Sequence, residues 1–92
     1  MSEAEKVHYW YRYTTSHGIL GIIPQEGGRF KLMLGEEQLG IYNSPEDAAF
    51  DASEGTTDTL PAEVDLETLG IPSDIEDWRK DVFVRISRLR PA

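Results

Sequence analysis

Four short runs of apolar or alternating residues follow one another in the first half of the chain, each separated from the next by a polar turn that contains glycine. The first run places its bulky residues on one parity: Val7, Tyr9, Tyr11 and Tyr13. Three further runs lie at 19–24, 30–34 and 39–42, and the turns between them are short enough for hairpins. A period of two is typical of strands that bury one face. The pattern predicts an antiparallel meander of four strands.

The clearest local signal after these runs is the start of a helix. Ser44 is a favoured N-cap residue, Pro45 suits the first helical position, and two carboxylates follow in the first turn. Gly55 can adopt the left-handed conformation that often ends a helix. We therefore expect a helix from Pro45 to Glu54, packed on one face of the sheet.

The C-terminal third admits two interpretations. Ser73 and Glu76 have the spacing of a capping box, which predicts a second helix from Asp74. The β-branched run from Val82 to Ile86 instead favours a fifth strand. The prediction is an α+β fold, with a four-stranded antiparallel meander, one helix on a face and a second C-terminal helix, and with a fifth strand as the alternative. One domain over residues 1–92 is expected at this length, with disordered termini at 1–6 and 89–92.

Strand parity divides the predicted sheet into an inward and an outward face. The inward face, packed on the helix, holds Tyr9, Tyr11, Tyr13, Phe30, Leu32, Leu34, Leu39 and Ile41. The outward face holds His8, Trp10, Arg12, Lys31, Met33 and Tyr42. This outward set is unusual for a face that meets water, because it combines aromatic side chains with cations.

Charge is distributed very unevenly along the chain. Between Lys31 and Arg79 there are thirteen acidic residues and no lysine or arginine, whereas residues 79–92 carry five basic residues and one acidic residue. The net charge is −8. An acidic block of this size repels phosphate and lipid headgroups and attracts basic surfaces, which disfavours nucleic acid and membranes as partners.

The composition also bears on the compartment. The chain has no cysteine, so neither disulfides nor thiolate-bound zinc can stabilise it. Its N-terminus is polar and acidic, and no apolar stretch approaches the ~20 residues of a membrane span. We expect a soluble cytoplasmic protein.

Two segments carry a resemblance to known proteins. Residues 39–49 (LGIYNSPEDAA) and 69–78 (LGIPSDIEDW) resemble small acidic bacterial proteins that are uncharacterised. That resemblance implies a compact α+β domain and no known activity, so it transfers no functional residue. Residues 30–52 locally resemble the strand-strand-helix unit of AP2-type and phage-integrase arm DNA-binding domains, which implies contact with DNA.

The chain offers little for catalysis or for metal binding. His8 and His17 lie in a strand and the adjoining turn, with no carboxylate at motif spacing to orient them. Ser44 and Ser73 occupy cap positions and lack the glycines of a nucleophile elbow. The prediction is a protein that is not an enzyme and has no cofactor and no metal site.

Binding to another protein is the function that these features favour. A basic protein is the candidate partner, and the residues predicted to contact it are Trp10, Arg12, Lys31, Tyr42, Asp51 and Glu54. Two alternatives stay open. The aromatic and basic sheet face could bind nucleic acid through stacking and phosphate contacts. The acidic side could instead mimic nucleic acid and inhibit a basic protein.

Overall fold

The computed structural model describes residues 5–87 of the chain, and the side chains of residues 8–83. Its centre is one antiparallel sheet of five strands in the order β4-β3-β2-β1-β5. The strands are β1 (Glu5–Thr15), β2 (Gly18–Pro24), β3 (Phe30–Leu34), β4 (Glu37–Tyr42) and β5 (Arg79–Ser87). One helix, α1 (Pro45–Glu54), follows β4. The predicted α+β class is therefore confirmed.

The boundaries of α1 agree with the prediction because local signals fix both of its ends. The Ser44 Oγ accepts a hydrogen bond from the Asp47 backbone N–H at 3.1 Å. At the other end Gly55 has φ 73°, and its N–H donates to the Ala52 carbonyl at 3.3 Å. The buried side of α1 consists of alanines 48, 49 and 52, which allow the helix to lie close to the sheet.

The core lies between the sheet and the layer formed by α1 and the chain that follows it. From the strands it takes the fully buried Leu20, Ile22, Leu32 and Leu39. From residues 66–78 it takes Leu66, Ile71, Ile75 and Trp78. The Trp78 indole N–H donates to the Pro72 carbonyl at 2.9 Å, and its ring lies 5.9 Å from that of Tyr13. These contacts hold the irregular segment before β5 against the sheet.

The prediction of four strands and a second C-terminal helix is not confirmed. The segment after Ser73 forms a single 3₁₀ turn, Ile75–Asp77, in which the Asp74 carboxylate accepts the Glu76 backbone N–H at 3.0 Å. The chain then becomes extended and pairs with β1 as a fifth strand, with Arg79 opposite Arg12. The β-branched run favours this extended form, and pairing with β1 satisfies its backbone groups along one side.

The predicted faces of Ile41 and Tyr42 are exchanged by a β-bulge. Leu32 pairs with Gly40 and Met33 pairs with Gln38, so β4 has one extra residue at this point. After the bulge Tyr42 lies opposite Phe30 and packs against the core, while Ile41 lies opposite Lys31 on the other face. A single additional residue thus reverses the parity of the end of the strand.

The predicted disordered termini, 1–6 and 89–92, lie outside the described residues except for Glu5 and Lys6. Glu5 and Lys6, also predicted to be disordered, begin β1 and pair with Ser87 and Ile86. In the described part of the chain, no helix has both the length and the apolar character needed to cross a membrane.

Candidate functional site

The most distinctive surface is the side of the sheet opposite α1, which we call the helix-free face. The strand register aligns two rows of residues across it. One row, from β4 to β5, is Ile41, Lys31, Ile23, Trp10 and Asp81, and the other is Gln38, Met33, Gly21, Arg12 and Arg79. Among the described residues no helix lies on this face.

Trp10 is positioned by close contact with a neighbouring strand. A Cβ atom at Gly21 would lie 3.1 Å from the Trp10 ring atom Cζ3, so the absence of a side chain at position 21 makes room for the indole. The Arg12 guanidinium carbon lies 5.7 Å from the centre of the same ring, within cation–π range. Trp10 is therefore held between Gly21 and a cation at the middle of the face.

Arg12 and Arg79 share one carboxylate. The Arg12 Nη2 donates to Asp81 Oδ2 at 2.8 Å, and the Arg79 Nε lies 3.3 Å from the same oxygen. The Arg12 Nε is buried and has no described acceptor. Asp81 is the only carboxylate in the two rows, which hold three cations. The charges of these two rows thus sum to +2, opposite in sign to the chain as a whole.

The rest of the helix-free face is aliphatic. Ile23, Met33 and Ile41 are half-buried, and Ile19 at the edge of the face is 44% exposed. The outer face of a two-layer antiparallel sheet is ordinarily polar where it meets water. Here apolar residues face outward between the cations, a composition typical of interaction surfaces.

The opposite layer carries the acidic block. Eleven carboxylates lie between residues 45 and 78 with no lysine or arginine among them. A groove of about 440 Å³ in this layer is lined by Leu60 and Val64 together with Glu63, Asp65 and Glu67. Leu60 is 62% exposed. The two sides of the molecule therefore differ in the sign of their charge.

Tyr42 lies on this acidic side. Burial raises the pKa of its hydroxyl well above the ordinary value, and the negative charges of Asp51 and Asp58 raise it further. The hydroxyl is enclosed beside the Asp51 carboxylate. Tyr42 therefore belongs to the packing between β4 and α1.

The residues predicted to bind a partner are thus divided between two surfaces. Trp10, Arg12 and Lys31 lie together on the helix-free face, while Tyr42, Asp51 and Glu54 belong to the acidic layer. Sequence reasoning missed Ile23 and Ile41, and it missed Asp81. The β2–β3 hairpin carries a signal for Ile23, because this residue pairs with Lys31 across the turn and therefore shares its face. Ile41 was hidden by the bulge, and Asp81 by the non-local pairing of β5.

A smaller cavity of about 370 Å³ opens on the α1 side, beside the start of the helix at Pro45. Its walls include Tyr9, Tyr11 and Phe30, with Arg29 at the rim. The Lys80 Nζ lies 4.4 Å from the centre of the Tyr9 ring, so the Lys80 cation already makes a cation–π contact within the chain. Across the described residues, no three His, Asp or Glu side chains are grouped so that they could hold a metal ion.

Comparison with known proteins found no relative of this chain: no family model, curated protein or solved structure matches it.

Proposed function

We propose that this protein is a protein-binding module whose contact surface is the helix-free face. The observation that carries the proposal is the row of apolar residues formed by Ile41, Ile23 and Trp10 on a face where the structure describes no helix. Burying exposed apolar area contributes roughly 25 cal/mol per Å², so a partner that covers this row gains affinity from it. Aromatic and arginine side chains such as Trp10 and Arg12 are also enriched at the centres of interfaces.

The aliphatic content of the face favours a protein over a nucleic acid. Surfaces that bind single strands use several aromatic rings as stacking platforms, with stacking worth ~1 to 3 kcal/mol per base. In the two rows only Trp10 is aromatic, and Ile23, Met33 and Ile41 occupy other positions.

The acidic layer supplies a separate candidate contact, for a basic protein. Its groove combines the exposed Leu60 with three carboxylates, which would suit a segment that carries both apolar and basic side chains. Phe50 on α1 adds a second exposed apolar group, at 54%. This surface lies on the other side of the sheet from Trp10, so the two contacts can be tested independently.

The test is affinity capture from the native host with three variants of the protein. Trp10→Ala combined with Ile41→Ser alters the helix-free face, and Phe50→Ser is the matched control on the exposed side of α1. The third variant reverses the charges of Glu46, Asp47, Asp51 and Glu54. A folded circular dichroism spectrum and a cooperative urea transition are required of each variant before its result is interpreted.

We expect the wild type and the Phe50→Ser variant to capture a protein that the variant with Trp10→Ala and Ile41→Ser, the face variant, does not capture. That protein, once purified, should bind the wild type in calorimetry and show the same order among the variants. If the face variant still captures the protein and the charge-reversed variant does not, the contact lies on the acidic layer and not on the helix-free face. Capture that is equal in all three variants would contradict the proposal.

A further inference from the structure

We infer that the segment recognised by the helix-free face is acidic, with apolar side chains flanked by aspartate or glutamate. This inference rests on the proposed function and adds the chemistry of the partner. It departs from the basic partner that the acidic block predicts, because the block and the helix-free face lie on opposite sides of the sheet.

Charge complementarity is the first argument. Arg12, Lys31 and Arg79 lie on the helix-free face with Asp81 as the only carboxylate in their rows. The eleven carboxylates between residues 45 and 78 follow β4 and belong to the layer on the far side of the sheet. A basic segment approaching the helix-free face would place like charges together at contact, which weakens association. An acidic segment meets opposite charge there.

The state of Arg12 is the second argument. Its side chain is held by Asp81 at 2.8 Å and by the Trp10 ring, and it keeps one third of its surface exposed. A guanidinium has five N–H donors, and although the buried Nε is closed to a partner, the Asp81 oxygen occupies only part of the donor set of this partly exposed side chain. A carboxylate of the partner can therefore bind a guanidinium that is already oriented, which reduces the entropy lost on binding.

The arrangement of apolar residues around the cations is the third argument. Lys31 lies between Ile41 and Ile23 in its row, and Met33 lies beside Gly21 in the next. A purely acidic segment would leave these aliphatic side chains uncovered. The segment that fits therefore alternates apolar side chains, which contact Ile23 and Met33, with carboxylates that reach Lys31 and Arg12.

The test begins with random peptides displayed on phage and selected on the full-length protein. Some selected peptides should bind the wild type but not the Trp10→Ala variant, and we expect these peptides to be enriched in Asp or Glu beside large apolar residues. Two synthetic peptides with the selected apolar core, one flanked by glutamates and one by lysines, are then compared by fluorescence anisotropy. Lys31→Glu should weaken the glutamate peptide about tenfold, the size expected for one interfacial charge pair.

Two further variants make the test specific. Lys80→Glu is the matched control, since it makes the same charge change at a residue that lies over Tyr9 on the α1 side. It should weaken binding less than Lys31→Glu. Asp81→Asn removes the carboxylate shared by Arg12 and Arg79, so it should tighten binding of the glutamate peptide.

The results that would overturn the acidic partner differ from those that would overturn the proposed function. Peptides that need Trp10 but are basic, or a lysine peptide that binds more tightly, would overturn the acidic partner and leave the protein-binding face in place. So would self-association of the wild type that Lys31→Glu abolishes, since the occupant would then be a second copy. A selection with no Trp10-dependent peptide, together with tight binding of single-stranded DNA, would overturn both.

Discussion

The ring of Trp10 lies against the backbone of Gly21, where a Cβ atom would come within 3.1 Å of the ring atom Cζ3. Gly21→Ala should therefore force the indole to shift by a few tenths of an ångström, and the cost of this shift opposes the ~0.5 to 1 kcal/mol that a strand gains when alanine replaces glycine. The cost should be smaller in a Trp10→Ala background. Urea denaturation of the two single variants and the double variant measures the coupling. An equal cost in both backgrounds would show that the contact does not constrain Trp10.

Ser44 is expected to contribute to stability through its hydrogen bond with the Asp47 backbone N–H. Ser44→Ala should lower the free energy of unfolding by about 1 kcal/mol, because the first turn of α1 loses its only side-chain cap. Ser44→Asp should retain most of the stability, since a carboxylate caps equally well and suits the helix dipole. Urea denaturation at neutral pH checks both. A cost for Ser44→Asp as large as for Ser44→Ala would contradict the capping role.

Tyr42 should make the fold sensitive to alkaline pH. Burial, then the charges of Asp51 and Asp58, hold the pKa of its hydroxyl above the ordinary value, so the folded protein disfavours tyrosinate. The corresponding stability is fully present below the pKa of an unfolded tyrosine, ~10, and is lost as the pH rises past it. Tyr42→Phe should lose less stability than the wild type between neutral pH and pH values above ~10. Parallel losses in urea titrations of the two proteins would refute this assignment.

Ionic strength should affect stability through the acidic layer. The described ion pairs join Asp81 to Arg12 and Arg79, and neither involves a carboxylate of residues 45–78. Like charges in that layer repel one another in the folded state, and at ~0.15 M salt the Debye length falls to ~8 Å. The melting temperature should therefore rise from low to physiological salt. The reversal of Glu46, Asp47, Asp51 and Glu54 should reduce the rise, and a fall in the wild type would mean that attractive pairs dominate.

The first four strands and α1 could be predicted because their signals are local. Alternation in β1, glycine-containing turns, and the cap residues Ser44 and Gly55 each act within a few positions. The last strand could not be assigned in the same way. Ile75 and Trp78 fit one face of a helix, and the pairing that makes Arg79–Ser87 a strand depends on β1, far away in the sequence.

The candidate site shows the same division. Trp10 and Arg12 alternate along one strand, so their shared face could be predicted from parity. The Arg12–Asp81 contact depends on the register between β1 and β5, which no pattern near Asp81 specifies. Tyr42 was placed on the wrong face because the bulge in β4 is defined by its pairing with β3.

The bulge in β4 has an evolutionary consequence. Beyond the bulge Tyr42 lies opposite Phe30 because β4 holds one residue more than β3 between this pair and the pair of Met33 with Gln38. Deleting that extra residue would leave both pairs in place, whereas pairing of the unchanged sequence without the bulge would turn Tyr42 to the helix-free face and Ile41 toward α1. A substitution that removes the bulge without changing the length of β4 would therefore exchange an aromatic and an aliphatic residue between the core and the helix-free face.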